Sequence, residues 1–189
     1  EAIFHIQQVA EHWGFSLSRQ ERDCFTASIF ALCEVWHTPG AELSEELQAF
    51  CRNVLKLLVG LLAQTQLRED AAAYCHLQGV LYACLAAGSR EQIQLAKEAF
   101  ETARAHSEEL SALNPVRVSL MTDLALFTMH VLDNKEEAFQ LGRIAFEDGI
   151  GFNMGRGEEW EREGYDEATV NKCLKRLRYL LEEWSSDEA

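Results

Sequence analysis

Six histidines, at 5, 12, 37, 76, 106 and 130, and six cysteines, at 24, 33, 51, 75, 84 and 173, are the side chains best suited to hold a metal or attack a substrate. Zinc bound on a helix needs paired ligands such as H-E-x-x-H, and no two histidines stand at that spacing. His5 and His12 lie two turns apart and read as a partly exposed structural pair. No C-x-x-C pair occurs, and Cys75 beside His76 is no dyad, because adjacent helical residues point apart. Gly149-Ile150-Gly151 and Gly155-Arg156-Gly157 look like phosphate loops, but they follow a helix and lack the strand such a loop requires. Lys172, Lys175 and Arg176, three and four apart, share one helix face and could hold an anion, the plainer reading being a solvated basic face. No metal, no cofactor and no catalysis are expected.

Thirty-one acidic against seventeen basic residues give a net charge of −14, which repels nucleic acid and anionic lipid. The run Leu55 to Ala63 is closed off by polar residues and falls short of the roughly 20 apolar residues that cross a bilayer. The chain does not open on a signal peptide. Its cysteines sit among apolar residues at helical spacing and read as reduced core residues, which favours a cytosolic or nuclear compartment.

The elements that must position these residues are helices almost throughout, since strand-like alternation never persists. The class is all-α, an antiparallel bundle of about eight helices in one domain over residues 1–189. Ile3, Ile6, Ala10 and Trp13 form a first stripe. Ser18 to Glu21 makes a capping box that opens a second helix ending near Pro39-Gly40. Leu47, Phe50, Cys51, Val54, Leu55, Leu58, Leu61 and Leu62 make a face wide enough for a central helix. Further helices are predicted from Asp70 to Gly88, from Ser89, from Asn114-Pro115, from Asn134 to Gly149 and from Asp166 to Trp184, with a loop over 149–164. Gln94-Leu95 and Ala99-Phe100-Glu101 return as Gln140-Leu141 and Ala145-Phe146-Glu147, an echo at a spacing of 46 that suggests stacked hairpins.

Five segments resemble the 14-3-3 family of helical phosphoprotein-binding adaptors. Leu17 to Arg22 resembles its L-S-x-E-E-R helix start, and ELQAFCRNVLKLL from Glu46 its E-L-x-x-I-C-x-x-V-L-x-L-L. Tyr74, Gly79, Tyr82 and Leu85 match Y-L-K-M-K-G-D-Y-Y-R-Y-L. Asn114-Pro115-Val116-Arg117, Phe127, Leu132 and Ala145-Phe146-Glu147 match H-P-I-R and its continuation without gaps, and Tyr165, Thr169 and Trp184 echo the final helix. A tetratricopeptide-like scaffold is the alternative that would explain Gly79, Tyr82, Ala96 and Phe100, but its repeat period is absent.

The resemblance implies an adaptor in intracellular signalling whose partners are protein or peptide segments, gripped in a groove by a lysine, two arginines and a tyrosine on a phosphate. Carried over position by position, those four fall on Phe30, His37, Ala83 and Cys84, so the clamp is degenerate and classical phosphopeptide binding is expected to be weak or lost. A groove asparagine becomes Asp123, and Phe30, Leu81, Leu124 and Leu126 would line an apolar remnant. The family's first helix and parts of the third and fourth have no counterpart here, so a family-type homodimer is doubtful. Intact mass in native and denaturing conditions should show the bare, fully reduced chain; a retained metal or the mass deficit of a disulfide would contradict this.

Overall fold

The computed structural model describes residues 18–33, 43–87, 89–155 and 167–186. They form seven helices: α1 (Arg19–Cys33), α2 (Glu45–Gln64), α3 (Arg68–Leu85), α4 (Arg90–Ser107), α5 (Pro115–His130), α6 (Lys135–Gly155) and α7 (Glu167–Ser186). No strand occurs among the described residues. The all-α class and a helix count near eight agree with the sequence reading; the stripe at Ile3 to Trp13 and the Pro39-Gly40 stop lie outside the described residues.

The starts follow from side chains that satisfy otherwise unpaired amides. At α1 the Ser18 amide donates to the Glu21 carboxylate at 2.9 Å and the Glu21 amide to the Ser18 hydroxyl at 3.4 Å. The Ser18 hydroxyl, which donates to the same carboxylate at 2.6 Å, and then the Ser18 amide hold Glu21 below the ordinary carboxylate range. Ser44 accepts from the Leu47 amide at 3.3 Å to open α2, and Asn114 accepts from the Val116 amide at 2.9 Å with Pro115 in the first turn of α5. Asn134 accepts from the Glu137 amide at 3.3 Å to open α6. Before it, α5 stops where Asp133 takes a left-handed φ of 51° and the Asn134 amide reaches back to the Thr128 carbonyl at 3.0 Å.

Chain length alone predicts one domain over 1–189; contacts group the chain into two compact units, Glu1–His106 and Ser107–Ala189. In the first, α3 packs against α1 and α2. The predicted central helix was α2, and this is corrected. Cys51, Val54, Leu55, Leu58 and Leu61 are buried on one side of α2, whereas α3 is buried nearly all round from Asp70 to Cys84. Its small residues Ala71, Ala72, Ala73, Gly79 and Ala83 let neighbours approach from several sides. At Gly79 an added Cβ would stand 2.8–2.9 Å from three ring atoms of Phe100 on α4.

In the second unit α5, α6 and α7 pack pairwise. Leu113, Val118, Val170 and Leu174 form one buried cluster, and Ala125, Leu126, Ala138 and Trp184 another. The loop predicted to begin at Gly149 is corrected, because α6 continues to Gly155. Gly149 is a contact residue there and no helix stop: a Cβ would fall 2.7 Å from a Leu174 methyl. Residues 156–164 of that loop lie outside the described residues.

The Gly79 contact yields a direct test. Gly79→Ala gains helix propensity, yet it must displace the fully buried Phe100 ring, so a net loss of about 1–3 kcal/mol is expected by thermal unfolding. Adding Phe100→Leu should make the Gly79→Ala step less costly; equal costs in both backgrounds would disprove the contact.

Candidate functional site

The sequence-predicted site residues divide between the units. In the first, Phe30 is half-buried on α1 and its ring centroid lies 5.0 Å from that of His76 on α3. His76 is buried and its ring lies 6.2 Å from Phe100. Ala83 stands two turns beyond His76 on the same face of α3, so Phe30 and Ala83 belong to one side of that helix. Ala83 is 6% exposed and Cys84 8%. Neither position carries a charge, and a large cation at either would have to be forced into packed surroundings. Leu81 is fully buried, which corrects its reading as a groove lining: it has been consumed by the core. His37 lies outside the described residues.

What holds α1 to α3 is a buried cluster of ion pairs. Arg22, 3% exposed, donates to Asp70 of α3, to Glu69 at 2.9 Å and to neighbouring Asp23 at 2.8 Å. Burial works against its charge, but the three carboxylates outweigh burial and raise the guanidinium pKa. Burial, reinforced by Asp70, pushes the Tyr74 hydroxyl up to about 12. Burial alone pushes the Cys75 thiol up to about 11, which leaves it protonated and unreactive at neutral pH. The cue for the arginine was present in the L-S-x-E-E-R likeness; its partners, far along the chain, left no local signal.

In the second unit Asp123 of α5 is buried and paired with Arg176 of α7, Oδ1 to Nη2 at 3.4 Å. Leu126 is buried against Ala125, Ala138 and Trp184, so it too is a core residue and its groove reading is corrected; Leu124 is half-buried. Arg117, in the matched Asn-Pro-Val-Arg, donates to the Leu110 carbonyl at 2.8 Å and lies 3.6 Å from Asp148, tying the start of α5 to α6. Lys172 and Lys175 are exposed one turn apart on α7. Of the predicted basic triad, Arg176 alone is engaged by a buried carboxylate.

From the last residue of α1 through α7, residues 33–185 are matched by the sequence profile described as 14-3-3 protein. The chain belongs to the 14-3-3 family. It is 26% identical over 153 residues to 14-3-3 protein I of Plasmodium falciparum, covering 77% of this chain and 56% of that protein. To 14-3-3 protein beta/alpha of Gallus gallus it is 27% identical over 156 residues, covering 77% and 60%. To the 14-3-3-like protein GF14 epsilon of Arabidopsis thaliana it is 27% identical over 152 residues, covering 77% and 58%. The match thus spans little more than half the length of these relatives.

Within this 14-3-3 chain the Asp123–Arg176 pair should be structural as well as polar. Arg176→Met leaves a buried carboxylate without its cation and should cost about 1–3 kcal/mol, less than for a wholly buried pair because Arg176 is half exposed. Asp123→Asn in the Arg176→Met background should recover part of that loss. Denaturant unfolding of the four members of this cycle decides it, and additive effects would contradict the pairing.

Proposed function

We propose that this 14-3-3 chain is an adaptor, acting in intracellular signalling from the cytosol, that binds protein segments without requiring a phosphate on them. The observation carrying this reading is the state of the clamp positions. Phe30 packs at a tilt against His76, Ala83 and Cys84 are small and buried, and none of the three can meet a dianion with charge. Asp123, at the position of a family asparagine, adds negative charge in place of a neutral hydrogen-bonding group. Phosphate recognition rests on convergent, charge-assisted hydrogen bonds, and each one absent forfeits about 1.5–3 kcal/mol. Several together amount to at least roughly a thousandfold in affinity. Phe30 and Leu124, both part-exposed, retain apolar surface that an unmodified peptide can use.

Fluorescence anisotropy with a phosphopeptide library and its unphosphorylated twins tests the reading. At pH 8 the twins should bind as well as the phosphopeptides. At pH 6, where His37 becomes cationic, phosphopeptides should gain modestly. Tight binding at pH 8 that disappears on dephosphorylation would refute the proposal.

A further inference from the structure

The cations of the second unit are concentrated on α7, where Lys172, Lys175, Arg176 and Arg178 fall within seven consecutive residues. Two of the four are already neutralised. Arg178 donates to Glu182 at 2.7 Å one turn on, and Arg176 reaches Asp123. Lys172 and Lys175 are different: among the described residues neither makes an ion pair or a side-chain hydrogen bond, although the chain carries fourteen more carboxylates than cations. Arg176 stands beside them with 47% of its side chain exposed, so its outer surface still adds positive potential. One further turn along the same face is Tyr179, 67% exposed and the most exposed large apolar side chain described. Beyond it Glu182 and Glu183 reverse the sign of the helix surface.

We propose that the face of α7 formed by Lys172, Lys175, Arg176 and Tyr179 docks an acidic, unphosphorylated segment of a partner protein, with carboxylates over the lysines and an apolar side chain against Tyr179. Charge complementarity carries the choice of occupant. In an acidic chain an unneutralised cationic stripe repels basic partners locally and draws carboxylates. A phosphate dianion is the poorer fit. It is best held by guanidinium forks converging on one point, whereas this face offers two lysine point charges spread along a convex helix and an arginine already committed to Asp123. Asp123 therefore sets the strength of the site, because it draws Arg176 inward and lowers the charge offered to a partner. This site lies wholly on α7 and stands whether or not the clamp positions recognise phosphate.

The test uses the whole chain and three labelled peptides: one rich in Glu and Asp with a single Phe, its Lys-substituted counterpart, and a phosphoserine peptide of the same net charge as the first. The acidic peptide should bind one to one, weaken with added salt, and lose about tenfold or more in affinity in Lys172→Glu/Lys175→Glu, whose exposed positions leave the fold intact. Tyr179→Ser should weaken it without changing the salt dependence. Asp123→Asn, checked by thermal unfolding to be folded, should strengthen it by removing a negative charge beside Arg176. Equal binding of the Lys-substituted peptide, indifference to the double reversal, or no binding at all would overturn the proposal. Tighter binding of the charge-matched phosphopeptide would overturn it in favour of a phosphate site, and loss of self-association in the double variant would assign the face to a second copy.

Discussion

A carboxylate taken out of water has to be answered by a cation, and each compact unit of this chain is organised around one such demand. In the first, Asp70 on α3 is answered by Arg22 on α1, with Glu69 and Asp23 closing round the same guanidinium. In the second, Asp123 on α5 is answered by Arg176 on α7. Pairs of this kind contribute little net stability over an apolar contact of the same shape, but breaking one is costly, so they specify which helix sits against which. Apolar stripes tolerate small slides and rotations; a buried arginine and its carboxylates do not. The register that Arg22 imposes on α1 also brings the Phe30 ring against His76.

The second constraint is the closeness of helices. Ala96, Ala99 and Ala103 on α4 are buried, and 46 residues later Gly142, Ala145 and Gly149 are buried on α6. The echo seen in the sequence is thus a repeated small-residue face, one copy in each unit. On α6 that face receives Leu174, Leu177, Leu181 and Trp184 of α7. A face of this kind admits a neighbouring helix at short range and gains dispersion contacts that larger residues would prevent.

Most of the fold was legible because its signals are local. Capping residues at Ser18, Ser89, Asn114 and Asn134 announce helix starts, and each accepts the amide hydrogen bond its type suggests. The failures share a cause. Gly149 was read as a helix stop because glycine usually is, yet its neighbour Leu174 lies twenty-five residues on in sequence and leaves no local trace. The breadth of α2's apolar face suggested a central helix, but burial on all sides needs small residues, and α3 has them. Leu81 and Leu126 were assigned to a groove by alignment, which reports position and not exposure; both are core residues. Arg22–Asp70 and Asp123–Arg176 join residues roughly fifty apart in sequence, beyond what charge patterning on one helix reveals.

The proposed function stands on two positions of α3: Ala83 and Cys84, where the family resemblance would put an arginine and a tyrosine, are small and buried. Thermal unfolding of Ala83→Arg measures this most directly. A charged side chain forced into a buried, alanine-sized space should lower Tm by about 4–8 °C or more. An Ala83→Arg protein that melts with the parent chain would contradict the account, because it would mean that the position still opens onto solvent and remains free to hold a phosphate.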